Sequence, residues 1–281
     1  MSLLASVRGV LAPPHPAGRV FVLAGLAVAL LGGLVAGGWL FWPGLAFAAF
    51  CLYFFRDPER VPPAHAPRVL LAPADGRVVS VRPVPPPPEL GLGDAPRWRI
   101  ATFLSVLDVH VNRSPCEGTV TRIAYRHGPF LNAAHKDADS NERNAIAIRL
   151  PGRGGDVAVV QIAGLIARRI VCTPREGARL SPGERIGLIR FGSRTDLYLP
   201  LGVRPLVAEG QTMVGGETVM AELPAALAGE TRRGASPATT TPMRAAAAPE
   251  TSAGVSGAAE GEAEAEAVAV AGTAPGGPGA R

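Results

Sequence analysis

The chain has 281 residues, enough for one or two domains, and carries 28 basic against 23 acidic side chains for a formal charge of +5. Its Arg and Lys residues are scattered, without a long basic run or an aromatic stripe for stacking bases, so the charge points to an anionic surface rather than to nucleic acid. Cys51, Cys116 and Cys172 are too few and too far apart for a zinc cluster or a disulfide scaffold, and Cys51, inside an apolar run, reads as a small hydrophobe.

Residues 1–19 form a short N-terminal segment, followed by a run from Val20 through Phe55 with no formally charged side chain. This run is too long for a signal-peptide core and predicts two helices of about 18 residues, each about 27 Å long, folded as a transmembrane hairpin over residues 20–55. The turn is expected around Trp39 to Gly44, where Pro43 limits helix continuity and Trp39 and Trp42 suit a membrane interface. Arg8 and Arg19 precede the run while Arg56 and Arg60 follow it, which favours both ends on the cytoplasmic side. A buried soluble helix pair is the alternative, because the first segment is rich in Ala and Gly.

After Pro62 long apolar runs give way to short ones punctuated by turns. Val69 to Leu71 and Arg77 to Val81 flank Asp75-Gly76, which suits a tight turn between strands. Prolines 85 to 88 cannot donate to a ladder and belong in a connection. Arg99 to Val106, Thr119 to Tyr125, Ala145 to Leu150 and Val157 to Ile162 supply further strands. Residues 56–228 are therefore expected to be a mostly β, compact antiparallel sheet assembly.

Two stretches, Glu176 to Ile186 and Glu209 to Val219, each place a Glu-Gly turn before a short strand and a second Gly near a Glu before the next. They look like the repeated hairpins of barrel-sandwich domains such as lipoyl carriers. Carriers bear an exposed Lys between the halves, whereas this interval holds Ser193 and no Lys, which argues against a swinging arm. Residues 229–281, almost wholly Ala, Gly, Glu, Pro, Ser and Thr from Gly234 onward, read as a disordered low-complexity tail.

Chemistry centres on Gly192-Ser193, where an apolar strand leads to a glycine followed directly by a hydroxyl. A tight turn presenting the Gly192 carbonyl to Ser193 makes hydroxyl attack intramolecular, although an ordinary Gly-Ser turn is the commoner explanation of such a pair. A base must come from His15, His65, His110, His127 or His135. His110 follows an apolar strand and is equally readable as a core or capping residue. Asp75 serves either the Asp-Gly turn or the orientation of a histidine.

Taken together, Phe54-Phe55-Arg56-Asp57-Pro58-Glu59-Arg60, Ala72-Pro73-Ala74-Asp75-Gly76, Phe103-Leu104-Ser105 with Asp108-Val109-His110-Val111-Asn112-Arg113, Asn141-Glu142-Arg143-Asn144, Gln161-Ile162-Ala163-Gly164 with Ala167-Arg168-Arg169-Ile170-Val171, and Phe191-Gly192-Ser193 resemble phosphatidylserine decarboxylase, specifically its short bacterial and archaeal class. The resemblance runs from about Cys51 to Ala221. It implies that Gly192-Ser193 is a self-cleavage site, that Ser193 becomes a covalent pyruvoyl group, and that Asp75 and His110 belong to the processing machinery. Longer members carry a second histidine where this chain has Arg113, so the base is His110 alone or with His127 as an auxiliary. Arg168 and Arg169 are candidates for the lipid phosphate, with ordinary solvated charge as the alternative. The resemblance further implies phosphatidylserine as substrate, anionic membrane lipid as partner, a heterodimer of the two cleavage fragments, and a bacterial inner or cell membrane as location. A decarboxylase of a related serine lipid and a non-cleaving lipid-binding homologue are the alternatives.

Overall fold

The computed structural model describes residues 12–35, 38–133, 136–152, 155–165, 169–190, 192–225 and 227, all within one compact unit ending at Arg233. The tail expected over 229–281, the segment before residue 12, and His135, Arg168 and Phe191 lie outside the described residues.

Two apolar helices come first, α1 (Arg19–Leu34) and α2 (Phe41–Phe54). They run antiparallel, because Gly32 packs on Leu40, Gly25 on Ala48 and Gly18 on Phe55. A Cβ on Gly44 would lie 2.4 Å from the Ala29 amide nitrogen, so small residues on both helices let the backbones meet. The stretch from Pro16 to Leu34 is long and apolar enough to cross a membrane, whereas α2, at 14 residues, is about 21 Å long and falls short of the expected span. The turn also falls earlier than expected: Pro43 sits inside the first turn of α2, where a missing amide hydrogen costs no helical bond.

Thirteen described strands follow: β1 (Val69–Leu71), β2 (Gly76–Val84), β3 (Arg97–Leu104), β4 (Val111–Arg113), β5 (Gly118–Arg126), β6 (Arg143–Arg149), β7 (Asp156–Ala163), β8 (Ile170–Cys172), β9 (Arg179–Leu180), β10 (Arg185–Ile189), β11 (Ser193–Tyr198), β12 (Thr212–Met213) and β13 (Val219–Glu222). Eight make one curled antiparallel sheet in the order β12-β2-β3-β11-β7-β6-β5-β9, beside a three-stranded sheet β4-β10-β8 and a β1-β13 pair. The mostly β, antiparallel architecture thus agrees with the sequence. Its main core lies on one face of the large sheet, filled by residues such as Ile100, Ile146, Ile148, Val159 and Leu197.

The two similar Glu-Gly stretches occupy matching places at opposite edges of that sheet. Gly177 donates to the Val120 carbonyl at 2.7 Å and Gly210 to the Val78 carbonyl at 2.8 Å. Glu176 accepts from the Ile123 amide at 2.7 Å, and Glu209 from the Val81 amide at 3.0 Å. Each stretch passes the chain from the large sheet to a small one, β9 to β10 and β12 to β13, rather than closing a hairpin on itself. Asp75-Gly76 likewise links strands of different sheets, since β1 pairs with β13 while β2 pairs with β3 and β12.

Candidate active site

Ser193 begins β11, which lies between β3 and β7 near the middle of the large sheet, with Ser193 opposite Leu104 on one side and Ala163 on the other. It is fully buried, and its hydroxyl has no hydrogen-bond partner among the described residues. Such an isolated buried hydroxyl costs stability unless it serves another purpose. Just before it, Gly192 adopts φ +62°, in the left-handed region that glycine enters without penalty. A Cβ added to Gly164 would lie 2.1 Å from the Gly192 carbonyl oxygen, so the bare α-carbon of Gly164 is what gives that carbonyl room. Asn141 steadies the strand beneath, donating to the carbonyls of Ala163 and Leu131 at 2.8 Å each.

His110 meets this turn directly. Its Nε2 accepts from the Gly192 amide at 3.3 Å, while Nδ1 lies 3.0 Å from the Asp108 carbonyl, which can only accept a proton. That carbonyl places the ring proton on Nδ1 and makes Nε2 the acceptor, which the Gly192 amide engages at the Gly192-Ser193 turn. Burial pushes the imidazole down to about 4, against the opposing pull of the Asp108 carbonyl, so the ring is a neutral base. Phe54 supplies part of that burial, with its ring 4.2 Å from the imidazole.

Asp75 is held elsewhere. One carboxylate oxygen accepts from Arg60 at 2.7 Å and the other from the Gly215 amide at 2.7 Å. Burial raises its pKa, partly offset by Arg60 and the Gly215 amide. His110 and Gly192 are therefore brought together, whereas the described contacts of Asp75 are with Arg60 and Gly215. Arg113 is buried and donates to the Gly183 carbonyl at 3.0 Å, to Asp57 at 3.1 Å and to the Pro58 carbonyl at 2.8 Å. Asp57 also receives Arg185 at 2.6 Å. The Arg56-to-Arg60 segment is thereby a buckle between the helices and the sheets, and Arg113 fastens it. His127 is 90 % exposed on its side chain and lies against Glu142 at 3.5 Å. Arg169 is exposed, and its carbonyl accepts from the Arg190 amide at 3.3 Å.

On the outer face of β11, Arg194 grips Asp196 at 2.8 and 2.9 Å and also pairs with Asp139, which Arg99 meets at 3.0 Å. A cavity of about 310 Å³ lined by Pro85, Arg99, Asp139 and Asp196 opens on this side. It is the face opposite the serine, because side chains alternate along a strand. Sequence reading missed the Phe54 stack, the Arg60 partner of Asp75 and the role of Gly164. All three lie in stretches that the sequence itself marks out, but the partners they meet come from distant segments of the chain.

The arrangement defines a β-rich domain with an apolar helical N-terminus and a histidine set against a buried Gly-Ser turn. Residues 47–221 match the family model described as phosphatidylserine decarboxylase. A phosphatidylserine decarboxylase proenzyme of Granulibacter bethesdensis is 66% identical over 224 residues, covering 79% of this chain and 91% of the relative. Its namesake in Gluconacetobacter diazotrophicus is 63% identical over 227 residues, covering 79% of this chain and all of the relative. One from Mycobacterium tuberculosis is 50% identical over 221 residues, covering 78% and 94%. The chain belongs to the phosphatidylserine decarboxylase family.

Proposed function

We propose that this proenzyme cuts its own backbone between Gly192 and Ser193 and then converts phosphatidylserine to phosphatidylethanolamine and carbon dioxide at a membrane surface. Membership of the family supplies the overall reaction. The observation that carries the self-cleavage is a buried Ser193 hydroxyl, without a partner among the described residues, next in the chain to the Gly192 amide that donates to a neutral His110.

In this reading His110 Nε2 exchanges the Gly192 amide for the Ser193 hydroxyl and takes its proton, and the oxygen attacks the Gly192 carbonyl carbon, so the peptide bond becomes an ester and its nitrogen leaves as the amine of residue 193. Elimination of the Gly192 carboxylate leaves a dehydroalanine, which water converts to a pyruvoyl group with loss of ammonia. The site fits that group: its precursor hydroxyl is buried and unpartnered, and it lies beside the small Ala163. When formed, the group supplies a carbonyl that accepts the electron pair released as carbon dioxide departs. His110 also holds the proton that replaces the lost carboxyl. Asp75 contributes through the Arg60 segment and the Gly215 turn that it fixes, and Asp108 and Arg56 are charged groups that act on both it and His110. His127, exposed beside Glu142, is the reserve proton carrier, and Arg168 and Arg169 are the candidates for the lipid phosphate.

Both fragments stay together in this reading because β11, at the start of the second, pairs along its length with β3 and β7 of the first. The helices support a membrane location: Leu23, Leu30, Leu31, Leu34 and Phe47 are exposed, as are Trp39 and Trp42 at the hairpin tip. The sheets then lie on the cytoplasmic side of a bacterial cell membrane, with Arg56 near the headgroups. Denaturing gels and intact mass test the reading. Two fragments with a pyruvoyl-blocked second chain are expected from the native protein, and a single uncut chain from Ser193→Ala. An active native preparation that remains uncut overturns it.

A further inference from the structure

One register step inside Ser193, a line of polar side chains crosses four strands of the large sheet. Thr102 of β3 stands opposite Thr195 of β11, Thr195 opposite Gln161 of β7, and Gln161 opposite Asn144 of β6. All are on the face of the sheet that carries Ser193, since alternate residues share a face. The next step inward is apolar, with Leu197 between Ile100 and Val159. The polar residues are at most 2 % exposed, and the hydroxyls of Thr102 and Thr195 have no hydrogen-bond partner among the described residues.

The amide end of this line has a fixed direction. Asn144 donates to the Gln161 oxygen at 2.9 Å, and Gln161 donates to the Asn112 oxygen at 2.8 Å. Asn112 is thereby left presenting its amide NH₂, which is buried and without a partner among the described residues. A free NH₂ can only donate, and two free hydroxyls can join it as donors, so the ligand suited to this place is an acceptor rather than an ammonium. Two of these buried groups face each other across β3 and β11 and the third is on the residue that accepts from Gln161, a concentration that calls for a physical account.

We propose that Thr102, Thr195 and Asn112 seat the carboxylate of the substrate's serine headgroup, a role that rests on the reading of residue 193 as the reactive position. Residues two apart on a strand are about 6.6 Å apart, a gap that a serine held by its amine at position 193 spans with its carboxylate and a hydrogen bond. The donors of this seat are neutral. They orient the carboxylate without the strong preference for its charge that an arginine would impose, and that charge is what the transition state loses.

Thr102→Val and Thr195→Val, singly and together, test the seat, because valine has nearly the shape of threonine. Unfolding temperature should hold or rise, since an unpartnered hydroxyl is removed, and gels should show normal cleavage. KM for phosphatidylserine in detergent micelles should rise about tenfold per hydroxyl, while inhibition by phosphatidylethanolamine, which lacks the carboxylate, stays unchanged. Glycerophosphoserine should raise the unfolding temperature of the cleaved wild type more than glycerophosphoethanolamine does, and the double variant should lose that difference. Thr195→Ser should restore it. Normally cleaved variants with unaltered KM and an unaltered glycerophosphoserine shift overturn the seat alone. A wild-type chain that never cleaves overturns the functional reading and the seat with it.

Discussion

The ring of Phe54, the last residue of α2, lies 4.2 Å from the ring of His110, so the end of an apolar helix forms one wall around the base. Tyr53 and Arg56 bind the Leu107 carbonyl at 3.2 and 2.7 Å, which ties the loop before His110 to the same helix end. Helix position and proton chemistry are therefore coupled.

That coupling predicts the behaviour of Phe54→Ala. Stability should fall by about 3–5 kcal/mol, and water reaching His110 should raise its pKa from about 4 toward 6.5. Cleavage rate measured against pH should show its acid limb moved upward, with Phe54→Leu between the two. An unmoved limb would mean that the phenyl ring does not keep the imidazole dry.

His110 also sets an acid limit on the uncut chain. Its folded pKa of about 4 lies below the unfolded value of 6.5, so the unfolded state binds the extra proton between these limits. Above about pH 6.5 the group contributes no pH dependence; as pH falls toward 4 it destabilises the fold by roughly 3 kcal/mol. Denaturant unfolding of Ser193→Ala across this range should show the loss, and Ser193→Ala combined with His110→Gln should lack it.

Two glycines at the turn should respond differently to alanine. Gly192→Ala meets no atom within 4 Å but carries a methyl into φ +62°, a strain of about 1–2 kcal/mol with slowed cleavage. Gly164→Ala places a methyl 2.1 Å from the Gly192 oxygen and must displace the scissile carbonyl. Timed gels should show cleavage nearly abolished in the second variant and only delayed in the first. Equal rates would contradict the packing role of Gly164.

Arg113 is assigned to fastening rather than to proton transfer. Arg113→Met should lower stability by about 2–3 kcal/mol, below the usual cost of breaking a buried pair because Asp57 keeps Arg185, yet should still yield two fragments. Loss of cleavage with an unchanged unfolding temperature would return Arg113 to the chemistry.

The local features of this chain were readable in advance. Val157 to Ile162 and Ala145 to Leu150 announce strands by composition, and the structure places β7 and β6 over them to within a few residues. Gly192-Ser193 and His110 were visible because few other residues offer a hydroxyl after glycine or a base. What stayed hidden depends on contacts between distant segments. Asp75 reads as a histidine's partner until Arg60 is seen to occupy it, and the side chains of both residues are free in sequence to choose among several ions. The helix lengths were overestimated because Gly and Trp at the tip share the apolar character of the spans, so hydropathy alone cannot mark where the turn begins.

The location of β11 between β3 and β7 sets how long each molecule can work. On the proposed reading, a reactive group made from a central strand cannot be exchanged as a diffusible coenzyme can, because replacing it means dismantling the sheet. Each copy would then be armed once and retired by chemical damage at residue 193, and the cell's capacity for the reaction would be renewed only by translating new chains.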